Sequence, residues 1–497
     1  MSDYILAIDN GTTGTTSVLI NAKTLELTDK INQEYTQIFP KPGWVEHNLD
    51  EIWKTVEYTV SEVLKRNNLT GANIACIGIT NQRETTCAFN KNGEPLHNAI
   101  VWQDRRTQSY CEELRSKGLS EKVTKKTGLP IDPYFSGTKM HWLLENSEQV
   151  KKANESGELK LGTIDTYILY RLTSGNSFAT EPSNASRTLL MDLNTTDWDS
   201  ELTELLGVNK DCLAEIKDSF GSFGTTSSLS FLPDGIPITG ILGDQQAALF
   251  GQAGFNKGDM KCTYGTGSFL LLNTGEGIDY SDNGLLTTVA YRNKGKTIYA
   301  LEGSVYIAGA AVQFLRDNLK IISSAEEIEE LAGQVKDTSE LENLLFFPFF
   351  TGLGSPYWKS DAKGAIAGIT RDTQNKHIAR ACLEGICLSI NDVMKAFAAD
   401  FGNPIKEIRV DGGAVVNNLL MQMQSDISEC KIIRPKVIET TAYGAALAAA
   451  IGVELISFDS LKDFWKEDRN YQPQAGELKY HKDKQIIWDS MIKKLFL

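Results

Sequence analysis

Residues 4–20 read YILAIDNGTTGTTSVLI. An apolar run, Tyr4–Asp9, closes on a carboxylate, a glycine and threonine turn follows, and Ser17–Ile20 is apolar again. Two short apolar runs joined by residues that tolerate unusual backbone angles predict a β-hairpin with a polar tip. Residues 261–272, KCTYGTGSFLLL, repeat the arrangement: Lys261–Tyr264, the turn Gly265-Thr266-Gly267-Ser268, then Phe269–Leu272. Both halves of the chain therefore carry a strand, a Gly/Thr turn and a second strand, the pattern of a duplicated domain.

Outward from these hairpins, strand-like runs alternate with helical ones, which favours α/β architecture. Ile52, Trp53, Val56, Val60, Val63 and Leu64 keep helical spacing behind Asn48 or Asp50 as N-cap. Asn73–Thr80 reads as a buried strand that stops at Asn81-Gln82-Arg83-Glu84. Lys376–Ala399 predicts a long helix, Glu407–Val410 a strand ending at Asp411-Gly412-Gly413, and Asn417–Ser428 a further helix. The domain boundary falls near residue 250, after Gly243-Asp244-Gln245-Gln246, giving domains over 1–250 and 251–497. With no Pro/Ser-rich linker between them, the two are expected to meet around a cleft. From about Ser457 the chain is charged and helical in pattern.

Composition removes several classes of function. Fifty Lys+Arg against sixty-four Asp+Glu leave a formal charge of −14 over 497 residues. Without a basic stripe, a nucleic-acid partner is not expected. Asp3 and Asp9 interrupt the N-terminal apolar run, so it does not read as a signal peptide. Thr440–Val453 is Ala-rich and too short for a membrane span; it reads as a packed helix. The eight cysteines form no CxxC pair and suggest buried thiols in a reducing, cytoplasmic setting. The five histidines have no metal-ligand spacing.

Three Gly-rich turns are candidates for anion binding. In Asp9-Asn10-Gly11-Thr12-Thr13-Gly14-Thr15-Thr16, backbone N–H groups and hydroxyls can crowd round a phosphate, and Asp9 can hold a hydrated Mg²⁺. Gly265-Thr266-Gly267 offers the same donors, and Asp411-Gly412-Gly413 lets a nucleotide approach the backbone. Each alone also reads as an ordinary turn. None matches GxxxxGK[ST] or GxGxxG. Arg83-Glu84 is either a grip on vicinal hydroxyls or a surface ion pair, and it can be the former only if the chain has left the strand. Trp102-Gln103-Asp104-Arg105-Arg106 and Asp132-Pro133-Tyr134-Phe135 suit the apolar face and hydroxyl edge of a carbohydrate, or a core. Asp244, at the end of the apolar run Ile236–Leu242, is either a general base or a helix N-cap.

Long segments then carry a resemblance: Gly78-Ile-Thr-Asn-Gln-Arg-Glu-Thr-Thr86, Ala99-Ile-Val-Trp-Gln-Asp-Arg-Arg-Thr107, Ile131-Asp-Pro-Tyr-Phe-Ser-Gly-Thr-Lys139, Asn184-Ala-Ser-Arg-Thr188, Gly243-Asp-Gln-Gln-Ala-Ala248, Phe350-Thr-Gly-Leu-Gly-Ser-Pro-Tyr-Trp358 and Arg409-Val-Asp-Gly-Gly-Ala414. Over about residues 4–455 the chain resembles the glycerol kinases, carbohydrate kinases with the actin/hexokinase-like (ribonuclease H-like) fold. The resemblance implies two duplicated domains flanking an ATP cleft, and Mg²⁺- and ATP-dependent phosphorylation of glycerol to sn-glycerol 3-phosphate. It implies glycerol hydrogen bonds from Arg83, Glu84, Tyr134, Asp244 and Gln245, with Trp102 and Phe269 against the carbon face. ATP contacts fall on Thr12, Thr13, Gly14, Thr266, Gly309, Gln313, Gly413 and Asn417, the general base on Asp244, and a homodimer or homotetramer is implied. The alternatives are a related kinase for another polyol or sugar and a non-catalytic actin-like nucleotide switch. Two departures stand out. The family's first loop commonly reads DQGTTSSR, and Thr16 here replaces its arginine, which predicts weaker nucleotide binding or slower turnover. Phe231-Leu-Pro-Asp-Gly-Ile236 lacks the Gly-x-Arg that binds a regulatory sugar bisphosphate in some relatives, and no histidine there could accept a regulatory phosphate.

Overall fold

A computed structural model describes residues 3–497. The opening hairpin is present: β1 (Tyr4–Asn10) and β2 (Gly14–Asn21) are antiparallel, and β3 (Leu27–Glu34) extends them. Helix α1 (Leu49–Arg66) follows. Asn48 caps it by accepting from the N–H groups of Asp50 and Glu51. β4 (Ile74–Asn81) lies parallel to β1; β5 (Phe220–Thr225) and β6 (Pro237–Gly243) complete a six-stranded sheet of order β5-β6-β4-β1-β2-β3.

After helix α2 (Asp244–Gly251) the plan recurs. β7 (Met260–Tyr264) and β8 (Ser268–Gly275) form the second hairpin, then β9 (Leu286–Asn293) and β10 (Lys296–Val305) are added. Helix α3 (Gly309–Asp317) and the long α4 (Asn375–Phe401) precede β11 (Glu407–Asp411), α5 (Asn418–Ser428) and β12 (Lys431–Pro435). With α6 (Thr440–Gly452) and β13 (Glu467–Tyr471), the sheet order is β9-β10-β8-β7-β11-β12-β13. In each sheet, parallel strands (β4, β6; β11, β12) lie on the far side of the opening strand and an antiparallel strand (β5; β13) closes that edge.

The Ala-rich helix packs, as its composition predicts, but on the other half's sheet. A Cβ at Gly78 of β4 would lie 2.1 Å from the Ala445 carbonyl oxygen, and one at Gly444 1.9 Å from that of Ala247. Only glycine allows α6 so close to β4 and α2. One buried cluster joins Ile5, Ala7 and Val18 of the first sheet, Ala445–Ala450, and Leu271 and Ala300 of the second. The α2–α6 pair thus fills the space between the sheets, which explains why α6 is apolar all round.

Between β4 and β5 an insertion builds a small antiparallel sheet from Thr86–Phe89, Ala99–Ile100 and Lys160–Thr163, joined by Glu46–His47. It presents Trp102 and Tyr134 over a core that includes Phe135, Leu143 and Leu161. The charged C-terminal segment is only partly helical. Residues 467–471 form β13, an edge strand whose charged side chains suit an exposed rim. Helix α7 (Leu478–Leu495) then docks through the buried Trp488, whose indole N–H donates to Asp392 at 2.8 Å. All eight cysteines are buried and unpaired. Among the described residues no helix is long and apolar enough to cross a membrane.

Candidate active site

The carboxyl ends of the parallel strands carry the candidate residues, where open α/β sheets place their ligands. Asp9 is near the end of β1, Arg83 and Glu84 follow β4, Asp244 follows β6, the Gly265–Gly267 turn follows β7, and Gly412 and Gly413 follow β11. Charges tie these ends together. Asp9 feels Asp244 and Glu439, while Lys261 feels Asp411 and Asp244.

β4 ends at Asn81, and Glu84 has φ +61°, so Arg83 and Glu84 no longer point to opposite faces of a strand. Both are 2% exposed, which removes the surface-pair reading. The Arg83 Nε faces Asp244 at 3.0 Å, its Nη1 donates to Gln246 at 3.2 Å, and both terminal nitrogens donate to Glu302. Glu84 accepts from Arg187 Nε at 2.6 Å. Asp244 is the first residue of α2 rather than its N-cap, which is Gly243. Beside these charges stand three aromatic rings. Trp102 meets Tyr134 edge-on at 5.6 Å and Phe269 at 6.2 Å, so two rings come from the insertion and one from β8. Lys261 is fully buried and donates to the Gln245 side-chain oxygen, to Thr263 at 2.8 Å and to the Phe269 carbonyl at 3.2 Å. Burial pushes its ammonium below its ordinary value.

The first loop is built into this group. Gly11 N–H donates to the Gly14 carbonyl at 3.0 Å, and a Cβ at Gly14 would come within 2.6 Å of the Gln33 carbonyl. Tyr35 and Gln82 hold the Gly11 carbonyl, and Gln37 holds that of Thr12. Trp102 Nε1 donates to Thr12 Oγ1 at 2.9 Å, linking the aromatic wall to the loop. Trp102→Phe keeps a ring and removes that link. Its expected effect is about fivefold weaker binding of a phosphate-bearing ligand at the loop, the size of one lost hydrogen bond. Calorimetric titration with a nucleotide checks this, and an unchanged affinity would separate the loop from the wall. Thr16 lies opposite Asp9 on β2 and accepts from Asn32 Nδ2 at 2.9 Å. Among the described residues no Lys or Arg is hydrogen-bonded into the loop.

The remaining expected nucleotide residues gather on the second domain. Gly309 N–H donates to the Gly265 carbonyl at 3.0 Å and Ala308 N–H to that of Thr266 at 2.8 Å, seating the second turn on the start of α3. Gln313 is exposed one turn further on. Gly412 has φ +90° and packs on Tyr264, where a Cβ would lie 2.5 Å from the carbonyl oxygen, so Gly413 emerges beside the β7 end. Asn417 caps α5 by accepting from Leu420 N–H at 2.8 Å, which commits its oxygen to the helix. Among the described residues no hydrogen bond joins this set to Thr12, Thr13 or Gly14.

Four residues escaped the sequence reading. Glu302 and Lys261 each put a charge inside an otherwise buried strand, a signal that was available. Arg187 lies within Asn184–Thr188 but has no local partner, and Glu439 passes for a helix-start residue. Burial, then Asp244, then Glu439 raise the Asp9 carboxyl to about 8. The Asp9 carboxylate has no hydrogen-bond or ion-pair partner among the described residues. Such a carboxylate, flanked by two more, fits a bound cation. Among the described residues no set of three or more His, Cys, Asp or Glu side chains could cage a metal, which suits an ion keeping most of its waters.

Residues 4–251 match the N-terminal domain of the FGGY family of carbohydrate kinases, and residues 260–453 match its C-terminal domain. The chain is 49% identical over 475 residues to a glycerol kinase of Myxococcus xanthus, covering 95% of each. It is 46% identical over 484 residues to one of Staphylococcus epidermidis, covering 97% of this chain and 96% of the relative. A crystal structure of Plasmodium falciparum glycerol kinase with ADP superposes with a TM-score of 0.90 at 36% identity, covering 99% of this chain and 98% of the other.

Proposed function

The chain belongs to the FGGY family of carbohydrate kinases, and on that premise we propose that it transfers the terminal phosphoryl group of ATP to glycerol, giving sn-glycerol 3-phosphate and ADP. The observation that carries the reading is full-length similarity to glycerol kinases; the grouping of Glu84, Tyr134 and Asp244 about Arg83 supports it. The three rings suit the carbon face of a three-carbon polyol. Arg83, Glu84, Tyr134 and Gln245 would take its hydroxyls, with Glu302, Arg187 and Lys261 holding Arg83, Glu84 and Gln245 in place.

In this reading Asp244 accepts the proton of the attacking hydroxyl as the oxygen–phosphorus bond forms. Arg83 holds the acceptor and the Asp244 carboxylate in register, which is the positional part of catalysis. Thr12, Thr13 and Gly14 present donors to the phosphates from one side. Thr266, Gly309, Gln313, Gly413 and Asn417 take the nucleotide from the other. Packing of the two domains excludes water, a competing acceptor. Mg²⁺, when bound, would neutralise phosphate charge, and Asp9 is the residue that would hold it, with Asp244 and Glu439 adding to the field.

Asp9 gives that ion a pH signature. Its carboxyl, raised to about 8, is mostly protonated at neutral pH without a cation. Binding must displace that proton, so apparent Mg²⁺ affinity is expected to fall roughly tenfold per pH unit below about 8. The same shift makes the ion-free fold lose stability as pH rises from about 4, the unfolded value, through about 8. Mg²⁺ titration of activity at pH 6.5, 7.5 and 8.5 checks the first, and a flat requirement would remove Asp9 from the ion's shell. The reading itself is tested by product identity. Incubation with glycerol and Mg·ATP should give a product that sn-glycerol-3-phosphate dehydrogenase oxidises completely. A product inert to that enzyme would overturn the assignment.

A further inference from the structure

Arg187 and Glu302 are fully buried, 115 residues apart in sequence, and touch Glu84 and Arg83 respectively as well as each other. Glu302 Oε1 accepts from Arg83 Nη2 at 3.0 Å and from Arg187 Nη2 at 2.9 Å, while Oε2 accepts from Arg83 Nη1. Arg187 Nε passes on to Glu84 at 2.6 Å, and its guanidinium lies over the Phe135 and Tyr134 rings at 5.3 and 5.7 Å. Two cations and two anions thus close a balanced network, with Asp244 at its rim. Glu302 sits on β10 of the second domain; Arg83, Glu84 and Arg187 belong to the first. Burial raises a carboxylate, yet at Glu302 Arg187 and Arg83 outweigh it and hold the carboxyl below its ordinary value.

We propose that Glu302, acting with Arg187, is a positioning residue for the acceptor. The second domain reaches through β10 to fix the fork of Arg83, and through Arg187 it fixes Glu84, so the polyol pocket is complete only while the two domains stay packed. Two features favour positioning over plain stability. A buried charge network is no more stabilising than apolar packing of the same volume. This one also ends on Arg83, Glu84 and Asp244, the groups placed round the acceptor. A two-bond fork fixes the plane of the Arg83 guanidinium, whose Nε lies 3.0 Å from Asp244 in an ion contact without a hydrogen bond.

The inference rests on the glycerol reading, and its test keeps the two apart. The unaltered enzyme is assayed first; inactivity on glycerol would overturn that reading and this inference with it. Glu302→Gln keeps the shape and removes the charge. It is expected to lower kcat/KM for glycerol about 100-fold, as when one partner of a buried ion pair is neutralised. The KM for ATP should stay within about twofold, since no nucleotide residue touches the network. In an Arg83→Ala background the same change should cost about 10-fold or less, because one of its two routes is already cut and only that through Arg187 to Glu84 remains. If Glu302→Gln does not fold, Arg187→Lys, which keeps charge and loses the fork, is read by the same criteria. Equal losses toward ATP and glycerol that follow a lowered Tm, or full additivity with Arg83→Ala, would overturn the proposal.

Discussion

Asp244→Asn is expected to lower kcat by about 10³-fold, the effect of removing a positioned general base. Asparagine fills the same volume and can still accept the Gln245 N–H, which reaches Asp244 Oδ1 at 2.7 Å. The start of α2 should therefore stay intact. What disappears is a carboxylate able to take the hydroxyl proton, and the charge opposite Arg83 Nε. Nucleotide affinity should change little, because Thr266, Gly309 and Gly413 lie on other elements. Single-turnover phosphoryl transfer and ADP calorimetry on the same preparation read both quantities. A kcat within tenfold of the unaltered enzyme would take Asp244 out of the base role.

The largest effect on stability is expected at Arg187. Replacing it with methionine removes the partner of Glu84 and one of the two cations on Glu302, both in a fully buried setting. Breaking a buried pair from one side destabilises by about 3–5 kcal/mol, because the remaining charge stays desolvated. Burial already raises the Glu84 carboxyl, with Arg83 and Arg187 opposing it. In the variant the Arg187 share of that opposition is gone, so Glu84 rises further. A carboxyl raised by folding penalises the fold above its unfolded value of 4.5 and not below it. The loss should therefore shrink as pH falls toward 4.5. Urea denaturation at pH 5 and pH 8 checks size and sign. A loss below about 1 kcal/mol at pH 8, or one that grows toward acid, would contradict the picture of a buried pair broken from one side.

Much of this architecture could be read from local chemistry. The hairpins over residues 4–20 and 261–272 announce the duplicated sheets because Gly/Thr turns between short apolar runs have few other uses. Asn48, the apolar stripe behind it and the run Lys376–Ala399 give α1 and α4 nearly to their ends. Arg83 and Glu84 could be singled out because adjacent residues share a ligand only beyond a strand's end, where Glu84 is found in the left-handed region. What stayed hidden depends on distance along the chain. Arg187 meets Glu302 only because the insertion folds back over the second sheet. The seat of α6 on β4 depends on Gly78 and Gly444, whose need for close approach appears only once both elements are placed. Edge strand β13 was illegible because a solvated rim needs no apolar alternation. Asn417, expected as the first residue of a helix, is instead its cap, and the helix begins at Asn418.

The central claim is that this site delivers the ATP phosphoryl group to glycerol and holds it back from water. It is tested most directly by ADP release from the purified protein with Mg·ATP, with and without glycerol, beside a panel of other polyols and sugars. The account predicts ADP release that depends on glycerol and is weak with the others. Release that requires a different polyol would contradict the substrate, and release indifferent to every acceptor would contradict the kinase reading itself.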